Sequence, residues 1–220
     1  MILAAMTHSE TEFLKFAIDS EVLRFGEFTL KSGRVSPYFF DAGLFNTGCQ
    51  IATLGQFYAA LLAEREPEPF MLYGPAYKGI PLATATAAAL SQQHHRDVAF
   101  AFNRKEAKDH GEGGEVIGAP LRGRVVIIDD VITAGLSVEE SVRIIRAAGA
   151  KPAAVAIALD REEKMNTSDQ SAVAEVEAQY DFPVHAIAHF STLVSYLSNE
   201  SDHARYVPAM TAYRARYGSR

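Results

Sequence analysis

An α/β fold, with a mostly parallel sheet flanked by helices, is what this sequence predicts, and three observations carry the prediction. From about residue 70 onward, strand-like and helix-like stretches alternate, the pattern of a parallel sheet covered by helices on both faces. The run RVVIID is the most hydrophobic stretch and has the length of a buried strand. It ends in two adjacent carboxylates, Asp129 and Asp130, and a small-residue turn then leads into a helix. In open parallel sheets, ligands collect beyond the carboxyl ends of the strands, where these residues fall.

The elements follow in order. Phe13, Leu14, Ala17, Ile18 and Val22 recur at helical spacing over residues 11–23. EFTLKSG reads as a short strand closing in a glycine turn, and SPYFFDAG as another extended piece. Residues 48–65 form an amphipathic helix, PFMLYG a buried strand and GIPLATATAAALSQQ an alanine-rich helix. DVAFAF is the next strand, and residues 103–120 are a charged, glycine-rich loop without periodicity. After RVVIID comes a helix from Ser137 to about Ala148, stopped by Gly149. PAAVAIALD, SAVAEVEAQY, VHAIAHF and STLVSYLSNE continue the alternation as strand, helix, strand and helix. No repeat, low-complexity segment or linker divides the 220 residues, so one domain with an N-terminal extension is expected.

Composition narrows the function. A formal charge of −6 leaves no general basic footprint for nucleic acid, so any anionic ligand must meet a local cluster of Lys and Arg. The single cysteine, Cys49, excludes an internal disulfide framework and is expected to pack inside the protein. The start MILAAM is apolar but lacks a charged leader and a long apolar centre, so no signal peptide is expected. No apolar run approaches the ~20 residues that span a bilayer, and a soluble, cytoplasmic protein is expected.

The doubled aspartate gives the chemistry. Thr133-Ala134-Gly135 is small enough for backbone to approach a ligand closely, and Ser137 and Glu140 have the spacing of a capping box. The free N–H groups and positive dipole end of the following helix favour a phosphate. Carboxylates repel phosphate, so Asp129 and Asp130 must serve another part of the same ligand. A sugar diol donates two hydrogen bonds and an ionised carboxylate accepts them. A phosphate beside a diol describes a ribose phosphate. Walker A and dinucleotide-binding glycine motifs are both absent.

IIDDVITAG resembles the phosphoribosyl pyrophosphate loop of the type I phosphoribosyltransferases, and the remaining motifs resemble the orotate phosphoribosyltransferases among them. FTLKSGRVSPYFFDAGLFNTG is similar to that family's orotate-binding N-terminal segment, and LYGPAYKGIPLA to its pyrophosphate loop. NRKEAKDHGEGG is similar to its mobile catalytic loop and ALDREEK to its second orotate contact. The resemblance runs in order over nearly the whole chain. It implies the type I phosphoribosyltransferase fold, with residues up to about 45 forming a small hood over the orotate site.

The resemblance also implies roles that the residues alone leave open. An aromatic pair after Ser-Pro is usually core, yet Lys31 and the Phe39-Phe40 segment would hold the orotate ring, partly through backbone groups. Tyr77 and Lys78 would meet pyrophosphate, in a loop where the family places a non-proline cis bond, here between Ala76 and Tyr77. Arg104 and Lys105 would also bind pyrophosphate, while Lys108 and His110 would belong to a closing loop that reaches into the partner of a homodimer. Asp129, Asp130, Val131, Ile132, Thr133, Ala134, Gly135, Leu136 and Ser137 would line the ribose phosphate. Arg161, otherwise a surface arginine after an aspartate, would contact orotate.

The implied reaction transfers ribose 5-phosphate from phosphoribosyl pyrophosphate to orotate, giving orotidine monophosphate in pyrimidine synthesis. Lys108, His110, Asp129 and Asp130 would be its catalytic groups, with Mg2+ held mainly by the substrate. The alternative is a non-catalytic regulator on the same fold that senses phosphoribosyl pyrophosphate. The family commonly reads Thr-Ala-Gly-Thr where this chain has Thr133-Ala134-Gly135-Leu136, so the hydroxyl has moved to Ser137. His94 and His95 lie at a polar helix end, and His185 with His189 lacks a third zinc ligand.

Overall fold

The computed structural model describes residues 2–30, 33–105, 115–165 and 168–219, with only the backbone of residues 2–9. Strands β3 (Met71–Gly74), β4 (Phe100–Asn103), β5 (Val116–Gly118), β6 (Arg124–Ile128), β7 (Lys151–Asp160) and β8 (Val184–His189) form one six-stranded sheet. Its order is β5-β4-β3-β6-β7-β8, and every neighbouring pair is parallel except β4–β5. Strand β5 corrects the expectation of an unbroken loop over residues 103–120. Three residues are too few to show a period, and the strand is defined by its pairing with the edge of β4.

Alternation along the strands sorts side chains to two faces. Leu72, Val126, Ile128, Ala154, Ala156 and Ala158 enter one core, with helices α1 (Ile2–Asp19), α2 (Gly48–Arg65), α3 (Gly79–His94), α6 (Phe190–Asn199) and α7 (Val207–Tyr217). Tyr73, Val125, Ile127, Val155 and Ile157 enter the other, under α4 (Leu136–Ala147) and α5 (Ala172–Tyr180). Leu72 and Leu90 are wholly buried, and truncating such a residue to alanine costs about 2–5 kcal/mol.

Local chemistry fixes the helices. Thr47 caps α2, its hydroxyl accepting from the Gln50 N–H while the Gln50 side chain accepts from Thr47 N–H. Alanine-rich α3 lies close against α2, because a Cβ on Gly55 would meet the Ala85 carbonyl oxygen at 2.6 Å. Cys49 is exposed, contrary to the expectation of packing. The buried face of α2 repeats as Leu54, Tyr58 and Leu62, and Cys49 falls outside that register.

The N-terminal region forms α1 and a separate antiparallel hairpin, β1 (Leu23–Thr29) with β2 (Val35–Phe40). Helix α1 begins well before residue 11, where the sequence pattern first becomes periodic. A 3-10 turn at Ala204–Tyr206 and α7 follow α6, where the sequence reading assigns no element. The buried residues of α7 are Met210 and Tyr213, too few for a clear apolar stripe. Among the described residues no helix is long and apolar enough to cross a membrane.

Candidate active site

Strands β3, β6 and β7 are neighbours, so the loops leaving their carboxyl ends stand side by side. The β3 loop turns tightly between two glycines. A Cβ on Gly74 would meet the Gly79 carbonyl oxygen at 2.1 Å, and one on Gly79 would meet the Ile128 carbonyl oxygen at 2.8 Å. The Ala76–Tyr77 peptide is cis, as the resemblance implied. Asn103, at the end of β4, accepts from the Ala76 N–H at 2.7 Å and is almost wholly buried. Tyr77 is exposed, with the Lys105 ammonium 5.0 Å from its ring centroid.

Lys78 reaches across to β6. Its Nζ donates to Asp130 Oδ2 at 2.8 Å and to Asp41 Oδ1 at 3.3 Å. Burial opposes its charge, but hydrogen bonds and attraction to Asp130 and Asp41 win and raise its pKa. Asp41 follows β2 directly, so this contact also ties the hairpin to the β3 loop.

Asp129 and Asp130 are buried at the end of β6. Tyr58 on α2 donates to the Asp129 backbone carbonyl at 2.7 Å, and the Asp130 N–H donates to Asp129 Oδ1 at 2.9 Å. Ser137 Oγ donates to Asp129 Oδ2 at 2.8 Å, which corrects the capping-box reading. Helix α4 begins at Leu136, with Gly135 as its N-cap at φ 71, so Ser137 already lies inside the first turn. Val131 and Ile132 pack into the two cores, while Thr133, Ala134 and Leu136 are exposed.

Burial pushes the Asp129 carboxyl up to about 6, helped by the charge of Asp130 and partly opposed by the hydroxyl of Ser137. In the unfolded chain an aspartate titrates near 3.9, so between the two values the folded state holds the extra proton. Stability attributable to this group therefore falls as pH rises through that window. Asp129→Asn should raise the melting temperature of the ligand-free protein at pH 7.5, by roughly 2–4 °C for each kcal/mol recovered. The gain should shrink at pH 5, where Asp129 is protonated in the wild type. Thermal melts at both pH values check this, and a loss of stability at pH 7.5 would refute it.

At the end of β7 the predicted orotate contact, Arg161, donates from Nε and Nη2 to Glu163 Oε1 at 2.9 and 2.6 Å. Its guanidinium lies 5.0 Å from the ring centroid of Tyr38, a β2 residue. In the same strand Phe40 is buried in the core beside Phe13, and Phe39 stacks on Phe28 at 5.6 Å. The Phe40 ring is therefore a packing element. The hairpin thus touches both the β3 loop, through Asp41, and the β7 loop, through Tyr38.

Arg104 N–H donates to the Glu115 carbonyl at 2.8 Å, so the two ends of the intervening segment lie together. Lys31, Lys108 and His110 lie outside the described residues. Asp41, Asn103, Tyr58 and Glu163 are site residues the sequence reading missed. Only Asp41 and Asn103 left a signal, a polar residue directly after an apolar strand. A cleft of about 360 Å3 beside Lys78 is lined by Gly43, Asn46, Thr47, Ile51 and Pro81, and shares only Lys78 with the predicted set. His185 and His189 pair with separate carboxylates, Glu66 at 3.0 Å and Glu10 at 3.2 Å, and do not converge on a metal.

Known proteins place this arrangement. The phosphoribosyl transferase domain family matches residues 51–188. An orotate phosphoribosyltransferase of Thioalkalivibrio sulfidiphilus is 57% identical over 209 residues, covering 95% of this chain and 98% of that protein. The chain belongs to the orotate phosphoribosyltransferases. A Herminiimonas arsenicoxydans member of the family is 59% identical over 220 residues, covering 97% of this chain and 99% of its own. The crystal structure of the Francisella tularensis orotate phosphoribosyltransferase superposes with a TM-score of 0.85 at 42% identity, over 94% of this chain and all of that one. The mostly parallel sheet, the doubled aspartate and the small-residue loop after β6 are thus features of a family member.

Proposed function

We propose that this chain transfers ribose 5-phosphate from phosphoribosyl pyrophosphate to orotate, releasing pyrophosphate and forming orotidine monophosphate for pyrimidine synthesis. One observation carries the reading: two buried aspartates at the end of β6 sit directly before a small-residue loop and a helix N-terminus, with Lys78 bound to the second of them. Asp129 and Asp130 take the ribose hydroxyls, and the backbone from Val131 to Ser137 takes the 5-phosphate. Tyr77, Lys78, Arg104 and Lys105 receive the pyrophosphate. Lys31, the Phe39-Phe40 backbone and Arg161 hold orotate.

No side-chain nucleophile is needed. As pyrophosphate departs, positive charge builds at the anomeric carbon and the orotate ring nitrogen attacks the opposite face. The protein's contribution is alignment and charge placement. Lys108 and His110 close over the reacting centre and exclude water. The donor set fits a magnesium ion carried largely by substrate oxygens: the two aspartates offer hard ligands, and each of their oxygens already accepts one hydrogen bond. When bound, that ion neutralises pyrophosphate charge. Residues 1–45 serve as a hood within one phosphoribosyltransferase domain, and the protein works in the cytoplasm as a homodimer that shares its closing loop.

A spectrophotometric assay of orotate consumption with phosphoribosyl pyrophosphate tests the activity. Binding of phosphoribosyl pyrophosphate without turnover would favour the regulator reading, which finds no support among the relatives described above. Leu136 supplies a further test, because its exposed side chain stands where the family commonly has a hydroxyl. Leu136→Thr should tighten phosphoribosyl pyrophosphate by less than about tenfold, roughly 1.4 kcal/mol. Ser137 is engaged with Asp129, so the missing donor is one hydrogen bond that water can replace. Calorimetry checks this, and a larger gain would mean the wild-type loop is substantially short of donors.

A further inference from the structure

We propose that Glu163 is a positioning residue for the reaction: it sets the direction of the Arg161 guanidinium and so governs orotate affinity. The inference rests on the reading of Arg161 as an orotate contact. Both Nε and Nη2 of Arg161 donate to one carboxylate oxygen, Oε1. A guanidinium has five N–H donors, so two are spent on fixing its plane and three remain.

Glu163 is itself held from several sides. Tyr38 donates to its Oε1 at 3.2 Å, and Arg34 of the hairpin approaches its Oε2 at 3.5 Å. The Arg161, Arg34 and Glu163 side chains are only 11%, 13% and 14% exposed, so water screens the group weakly. Burial pushes the Tyr38 phenol well above its ordinary pKa, and it stays a donor. The Tyr38 ring also lies under the guanidinium, so one residue braces both members of the pair.

The backbone is anchored behind them. Glu162 takes a left-handed φ of 50 with its N–H on Asp160 Oδ1, a turn that brings the side chains of Arg161 and Glu163 together. Glu163 bridges to Gly218, the Lys164 N–H donates to the Tyr217 carbonyl at 2.9 Å, and the Ser219 N–H donates to the Glu162 carbonyl at 2.8 Å. Among these three side chains two positive charges face one negative. The surplus matches a flat monoanion such as orotate, and Glu163 directs it by choosing which N–H groups remain.

The test is calorimetric titration of orotate and of phosphoribosyl pyrophosphate into the intact protein, with melting temperatures recorded. Glu163→Ala should weaken orotate about tenfold, or roughly 1.4 kcal/mol, and leave phosphoribosyl pyrophosphate unchanged. Glu163→Gln keeps one acceptor oxygen and should recover most of the loss. In an Arg161→Ala background, Glu163→Ala should add nothing to the loss of orotate affinity, because it acts through the arginine. Equal weakening of both ligands, or an additive effect in the double variant, would overturn the proposal. If Glu163→Ala does not fold, Glu163→Gln takes its place, with a few-fold loss expected that vanishes beside Arg161→Ala. Arg161→Ala alone separates the two levels. Unchanged orotate binding in that variant overturns the assignment of the orotate site, whereas weakened binding with a silent Glu163→Ala overturns only the positioning role.

Discussion

Lys108→Ala should lower kcat by about a hundredfold or more, the scale on which one preorganised donor acts, with orotate affinity essentially unchanged. Lys108 lies in the charged segment between Lys105 and Glu115, and the resemblance places it on the loop that closes over departing pyrophosphate. On the proposed reading orotate's own contacts come from other segments, so its ground-state binding should not register the change. Steady-state kinetics beside orotate calorimetry decides the matter, and near-normal turnover would remove Lys108 from the mechanism. If the loop acts across a dimer, mixing Lys108→Ala with Arg161→Ala should restore part of the activity. Hybrid dimers shown to form without any rescue would exclude sharing.

Asp130→Asn should weaken phosphoribosyl pyrophosphate by about 10- to 150-fold, the ~1.5–3 kcal/mol of a hydrogen bond to a charged group. The carboxylate accepts from the Val131 N–H at 3.0 Å and from Lys78 at 2.8 Å, and on the proposed reading it also takes a ribose hydroxyl. An asparagine keeps the shape but surrenders an acceptor and the charge. Orotate should bind as before, since on the proposed reading its contacts are Arg161 and the Phe39-Phe40 backbone and not this carboxylate. Inorganic pyrophosphate should bind no more weakly, because Lys78 loses a competitor. Isothermal titration of the three ligands checks the pattern, and a loss confined to orotate would reverse the assignment of the two subsites.

The parts of this architecture legible in the sequence are those written in short-range periodicity. Helix α2 runs from Gly48 to Arg65 as its amphipathic pattern implies, and the β6–loop–α4 passage follows from aliphatics, paired acids and small residues. Strand β5 was not legible, because its pairing is with β4 and its three residues carry no period of their own. Helix α7 was missed for want of a buried stripe. In the site, Asp129 and Asp130 announced themselves as charges at a strand end, whereas Lys78 was singled out only by the family resemblance of its loop. The engagement of Ser137 with Asp129, of Lys78 with Asp41 and of Tyr38 with Glu163 are contacts through space between segments, and no local pattern encodes them.

The pair formed by Lys78 and Asp130 has a consequence for selectivity among the many polyanions of a cell. Without a ligand, the Lys78 ammonium and the Asp130 carboxylate already satisfy one another. A simple phosphate that drew Lys78 away would leave the buried Asp130 carboxylate without its counter-charge, with only the Val131 N–H on it, and that is a cost the newcomer must absorb. A molecule carrying both an anionic tail and a neighbouring diol relieves the cost in the same act, one end taking the ammonium while the hydroxyls satisfy the acid. The ion pair thus works as a lock that needs two matching features at once, and it screens out ligands that present either feature alone.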